Sequence, residues 1–205
     1  KLIQVPLQVP RLGTTEVKAY LVLLLTDLAR RRKQITDKTM NEAQQKVLEL
    51  AKKGWSGLSA KDIRAAFGAE VDKVAKEIDL ADQLAHILAS AEQIAGNPRL
   101  IKRFLNNLVL REAIAKSQGM SIGFPELVKL QLFERCANAV GFEHLAKAVA
   151  ASDDGKVRFL ADLEAAAQKG DAWAAPTAWP QPFYEQWVKL APQLGDVDLR
   201  PLMHL

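Results

Sequence analysis

Apolar residues recur at helical rather than alternating intervals through most of the chain, and short polar or glycine-bearing turns separate the periodic stretches. The opening ten residues are the exception. There Ile3, Val5, Leu7 and Val9 alternate with polar or proline positions, which predicts an extended edge segment or linker. Val17, Tyr20, Leu21, Leu24, Leu25 and Leu28 then mark the buried stripe of a helix over 14–32, capped by Thr14 or Thr15. A second helix is predicted over 41–52, with a narrower apolar face of Val47, Leu48 and Ala51. Ser59 caps a short helix through Phe67 that Gly68 stops. Val71, Val74, Ile78, Leu84, Ile87, Leu88 and Ile94 make 70–95 one long amphipathic stretch, with Asp79-Leu80-Ala81-Asp82 as a break within it.

After Gly96-Asn97-Pro98 a further helix turns Ile101, Phe104, Leu105, Leu108 and Val109 inward and leaves Lys102, Arg103 and Arg111 to water, ending near Gln118-Gly119. Pro125 restarts helix, with Leu127, Leu130 and Phe133 or Glu134 near one face, and more helices are predicted over 142–151, 155–168 and 181–190. Prolines interrupt this rhythm over 171–180. The fold class predicted is all-α, a bundle of roughly eight to nine helices behind an extended N-terminal segment, with no fixed-period repeat.

Composition agrees with that pattern. Ala, Leu, Lys and Glu, all strong helix formers, dominate the 205 residues, a length able to bury a substantial core. The longest uncharged apolar run lies around 19–25, far short of the roughly 20 residues of a membrane span, and no secretory signal is present. One cysteine, Cys136, excludes an intrachain disulfide and points to a reducing, cytoplasmic setting. It reads as a buried structural thiol, because His86, His144 and His204 stand at no recognised catalytic spacing from it, and one Cys with three scattered His makes no metal cluster. His86 reads as structural too.

Charge is uneven: residues 1–111 carry a net +7 and residues 112–205 a net −3, giving the overall +4. The densest basic cluster, Arg30-Arg31-Arg32-Lys33, closes the first predicted helix, where cations complement the dipole. No aromatic residue interleaves with it to stack on bases.

The most specific stretch is Gly96-Asn97-Pro98-Arg99-Leu100-Ile101-Lys102-Arg103-Phe104-Leu105-Asn106. Gly96 suits a left-handed helix end, Asn97 a side-chain cap and Pro98 the first helical position. That puts Arg99 in the first turn, at the positive end of the dipole where an anion would approach. The same pattern also serves as an ordinary link between helices. A phosphate-cradling loop is not found: Gly54 and Gly57 in Lys53-Gly54-Trp55-Ser56-Gly57-Leu58-Ser59-Ala60-Lys61 have the wrong spacing, and no apolar strand ends in paired aspartates.

Three segments make the chain resemble the C-terminal helical part of the KAP family of P-loop NTPases. They are Lys1-Leu2-Ile3-Gln4-Val5-Pro6-Leu7-Gln8-Val9-Pro10-Arg11-Leu12 with Glu16-Val17, then Asn97-Pro98-Arg99 with Lys102-Arg103-Phe104-Leu105-Asn106, and Pro192-Gln193-Leu194 with Asp198-Leu199-Arg200-Pro201. The resemblance implies that 1–13 is a linker from a missing P-loop core, that 14–118 is a helical lid subdomain, and that 119–205 is a second helical subdomain packed on the first. Since the chain opens on a lysine within what reads as a domain, a fragment or processed form is expected, without ATP hydrolysis of its own. ATP and magnesium are implied for the parent ATPase rather than for this chain.

Within that resemblance Arg99 matches the arginine of the Asn-Pro-Arg motif and is expected to sense the terminal phosphate, with Asn97 aiming it and Lys102 and Arg103 as secondary contacts or solvated charges. No catalytic residue and no metal ligand is expected in the chain. Expected partners are the P-loop core, other proteins of an anti-phage defence system, or a second copy of the chain. Two other classes compete. An independent helical adaptor would bind a protein through Trp173, Trp179 and Trp187, although packing across helices is the default for these rings. A nucleic-acid binder would use Arg30, Arg31, Arg32 and Lys33, with steep salt dependence.

Overall fold

A computed structural model describes residues 11–52, 59–174, 176–180 and 182–205. The alternating segment 1–10, Trp55 with its neighbouring glycines, and Gln181 lie outside the described residues. All regular structure among the described residues is helical: α1 Thr14–Arg31, α2 Asp37–Lys52, α3 Ala60–Phe67, a 3-10 turn Gly68–Lys73, α4 Ala75–Ser90, α5 Pro98–Ser117, α6 Phe124–Cys136, α7 Ala139–Ala151, α8 Arg158–Lys169, α9 Pro182–Val188 and α10 Arg200–Met203. They form two compact units, dividing between Lys102 and Arg103.

In the first unit α1 packs along α4 and α2, and α2 also packs on α3. The α1 stripe is turned from the predicted one. Val17, Leu21 and Leu25 are buried as expected, but Ala19, Val22, Thr26 and Ala29 share the core with them, while Tyr20, Leu24 and Leu28 are half-buried. Small residues on the inner face allow helices to approach closely, so leucine spacing alone misplaces the stripe. Thr26 is tolerated in the core because its hydroxyl donates to the Val22 carbonyl at 2.5 Å. On α2, Met40, Ala43 and Val47 are buried and Leu48 is exposed.

The stretch 70–95 is divided elsewhere than predicted. Residues 79–82 lie inside α4, whereas the helix begins only after the 3-10 turn and ends at Ser90. Asp79 and Asp82 are exposed and pair with Arg64 and Lys18, so they decorate a helix face rather than interrupt it. Ser59 accepts from the Asp62 N–H and Gly68 ends α3 at φ 56, both as the sequence predicts.

The second unit centres on α6, where Leu127 through Phe133 are buried without interruption, together with Cys136. That run includes Lys129, 1% exposed. Its ammonium meets Glu164 of α8 at 2.5 Å and the carbonyls of Leu190 at 2.7 Å and Pro192 at 2.9 Å. Glu164 in turn accepts the N–H groups of Leu194 and Gly195, each at 2.9 Å from Oε2. The pair therefore ties two helices to the loop after α9, with its charges fully hydrogen-bonded, as buried ions require. Burial lowers the Lys129 pKa, an effect that attraction to Glu164 only partly offsets.

Candidate nucleotide-sensing site

The site is built where three chain segments of the first unit meet. At the end of α4 the chain makes two consecutive left-handed residues, Ala95 at φ 46 and Gly96 at φ 65. The Gly96 N–H donates back to the Leu88 carbonyl at 2.9 Å, satisfying one of the free carbonyls of α4. The Gly96 carbonyl accepts the Leu12 N–H at 3.1 Å. A Cβ at residue 96 would stand 2.1 Å from the Leu12 carbonyl oxygen, so only glycine allows this approach as well as this φ.

Asn97 follows as the cap of α5. Its Oδ1 accepts the Arg99 N–H at 3.0 Å and the Leu100 N–H at 3.4 Å, while its carbonyl accepts the Ile101 N–H at 3.0 Å. Pro98 occupies the first helical position, where no N–H is needed. Arg99, Lys102 and Arg103 are exposed. Arg99 has no ion-pair partner among the described residues. The first turn of α5 carries no acidic residue, a feature it shares with α7, α8 and α10 and that sets it apart from α1, α2, α3, α4 and α6. A positive side chain at a positive helix end is locally unfavourable by about 0.3–1 kcal/mol, and an anion reverses that sign.

In the other basic cluster two of the four cations are held by carboxylates. Arg30 pairs with Asp27 and Asp37 at 2.8 Å, and Arg31 pairs with Asp27 at 2.8 Å. Burial pushes the Asp27 carboxyl up, but hydrogen bonds from Arg30 and Arg31 outweigh it and hold the group below its ordinary 3.8. Lys33, at φ 60, supplies the left-handed residue that closes α1, with the Gln34 N–H reaching the Ala29 carbonyl at 3.0 Å. Arg30 and Arg31 of this patch are thus committed to carboxylates, while Lys33 closes the turn through its backbone and keeps an exposed side chain.

Two of the three candidate partner-surface rings are withdrawn into the second unit. Trp179 and Trp187 are 0% exposed, and Trp173 is half-buried. Trp179 stacks on Tyr184 with centroids 5.2 Å apart and donates its indole N–H to the Gly141 carbonyl at 3.3 Å. Trp187 packs on Phe133 at 4.5 Å and donates to the Lys129 carbonyl at 2.7 Å. Aromatic rings whose N–H groups are satisfied inside a core are structural, and a partner surface would have to do without them. Cys136 is buried and its thiol is pushed up to about 12 by that burial, which leaves it a poor nucleophile.

The family model for the KAP family P-loop domain matches residues 1–115. The chain belongs to the KAP family of P-loop NTPases. No curated protein and no solved structure matches it. The KAP match takes in the Leu12 to Gly96 contact and the whole of Asn97-Pro98-Arg99 with Lys102 and Arg103, and stops short of Pro192-Gln193-Leu194. That last segment is the one Glu164 holds, so its role on view is structural. The contact between Leu12 and Gly96 has no signature in the sequence, since Gly96 reads there as a helix stop and nothing names what packs against it.

Proposed function

We propose that this KAP chain is the helical lid and regulatory region of a P-loop ATPase, with residues 14–118 as the lid and Arg99 as the residue that senses bound nucleotide. The observation that carries the proposal is the exposed Arg99, whose backbone is fixed by Asn97 at an α5 N-terminus without acidic residues. A guanidinium stays charged and can grip two phosphate oxygens at once, so it distinguishes a terminal phosphate from its absence. Loss of that phosphate removes a contact present in only one state, which is what a switch needs. Lys102 and Arg103 add positive potential along the first turns of α5. ATP and magnesium belong to the P-loop core in this reading. We extend the proposal to a cytoplasmic ATPase of anti-phage defence, an extension that rests on the family resemblance alone.

The test is Arg99→Ala in the full-length protein, read by fluorescent ATP and ADP titrations and by ATP turnover. The expected result is a preference for ATP over ADP reduced about tenfold, the value of one lost charge-assisted contact of roughly 1.4 kcal/mol, with helicity by circular dichroism unchanged. Arg99→Lys keeps the charge without the fork and is expected to recover only part of the preference. Unchanged affinities and unchanged turnover in Arg99→Ala remove the arginine from the site.

A further inference from the structure

We propose that Gly96 is a joint that couples the segment entering α1 to the N-terminus of α5, so that displacing residues 11–13 re-aims Arg99. This deepens the nucleotide-sensing reading and rests on it. The path is short and wholly backbone or cap. The Leu12 N–H donates to the Gly96 carbonyl at 3.1 Å, that carbonyl belongs to the peptide whose nitrogen is Asn97, and the Asn97 side chain accepts the Arg99 N–H at 3.0 Å. On its other side the Gly96 N–H is held by the Leu88 carbonyl at 2.9 Å, so α4 serves as the fixed anchor against which the joint works. The fit is close enough to transmit a push as well as a pull, because a single added carbon would stand 2.1 Å from the Leu12 carbonyl oxygen. Of the two successive left-handed residues, Gly96 adopts its φ freely, while Ala95 is held there by the bond from its N–H to the Ala91 carbonyl at 2.7 Å. A movement of the Leu12 segment therefore rotates the peptide plane that Asn97 continues, and with it the cap that sets the first turn of α5.

Coupling is reciprocal, which supplies a test from both ends. In the full-length protein without nucleotide, amide exchange is followed at Leu12 on one side and at Arg99 and Leu100 on the other. Gly96→Ala perturbs the joint itself, and Asn97→Ala removes the cap while leaving residue 96 untouched. The expected result is that both variants speed exchange at all three amides by about tenfold or more. In Gly96→Ala the ATP over ADP preference falls about as far as in Arg99→Ala. Exchange that rises only on the side carrying the substitution overturns the joint. So does an ATP preference that survives Gly96→Ala while Arg99→Ala abolishes it. If Arg99→Ala leaves the preference intact, the sensing reading fails first, and the inference falls with it even where the amides remain coupled.

Discussion

The Lys129–Glu164 pair offers the sharpest quantitative test of the second unit, because every partner of both charges is identified. Each side chain is 1% exposed, and Glu164 serves Lys129 at 2.5 Å together with the Leu194 and Gly195 amides. Removing one member of such a pair strands the other charge in the core, at a cost of about 3–5 kcal/mol. Lys129→Met leaves the Glu164 carboxylate with its two amide donors and no counter-ion, and is expected to fall at the lower end of that range. Glu164→Gln keeps an oxygen for the amides but offers the Lys129 ammonium no negative charge, so a loss of similar size is expected. Combining Lys129→Met with Glu164→Gln removes both charges, keeps one side-chain oxygen for the Leu194 and Gly195 amides, and leaves the Leu190 and Pro192 carbonyls without the Lys129 donor. The double variant is therefore expected to lose about 3 kcal/mol or less, short of the summed singles by at least about 2 kcal/mol. Urea unfolding followed by tryptophan fluorescence reads this directly, since the Trp187 indole sits 5.1 Å from the Lys129 ammonium and donates to its carbonyl. Single-variant losses that add to the double within about 0.5 kcal/mol would refute the coupling.

Four further outcomes are expected. Cys136 should resist iodoacetamide at pH 8 in the native protein and react fully after unfolding, and because its thiol ionises near 9.0 unfolded and at about 12 folded, the stability it contributes is present below pH 9 and lost as pH rises toward 12; comparison of alkaline melts with Cys136→Ala checks this. Lys33→Gly should raise the melting temperature, because it relieves a left-handed φ of 60 worth about 1 kcal/mol at the end of α1. Gly195→Ala should destabilise by about 1–3 kcal/mol in urea, since its Cβ would lie 2.3 Å from the Ala161 backbone. The Asp198 carboxyl is held below its ordinary 3.8 by the Arg200 hydrogen bond, so the stability it adds is present above that value and declines as pH falls through its folded pKa; Asp198→Asn should flatten that part of an acid titration.

The helical fold was legible because it rests on local signals. Ser59, Gly68, Asn97 and Pro98 each act within a few residues of themselves, and each occupies the cap or stop that its chemistry suggests. What sequence periodicity misread depends on contacts made far away. The α1 stripe is turned because Ala19 and Ala29 admit a neighbouring helix, and Asp79 with Asp82 reads as a break because a pair of acids resembles a loop in the absence of the Arg64 and Lys18 that flank it in space. Lys129 is the extreme case: a lysine in a helix reads as solvated, and the carboxylate that keeps it inside lies 35 residues further on. For the candidate site, the cap geometry was readable and the Leu12 contact was not, since Gly96 carries no side chain by which to announce its neighbour.

That distance in sequence also sets an order of events during synthesis. The ammonium of Lys129 waits 61 residues for the Leu190 carbonyl and 63 for that of Pro192. At the roughly 5–20 residues per second of translation, the Glu164 carboxylate follows α6 after about 2–7 s, and the two carbonyls that complete the Lys129 shell only after about 3–13 s. Until the loop after α9 is made, the buried run of α6 lacks the acceptors that complete the Lys129 shell, and a nascent chain paused there leaves an apolar helix for a chaperone to cover.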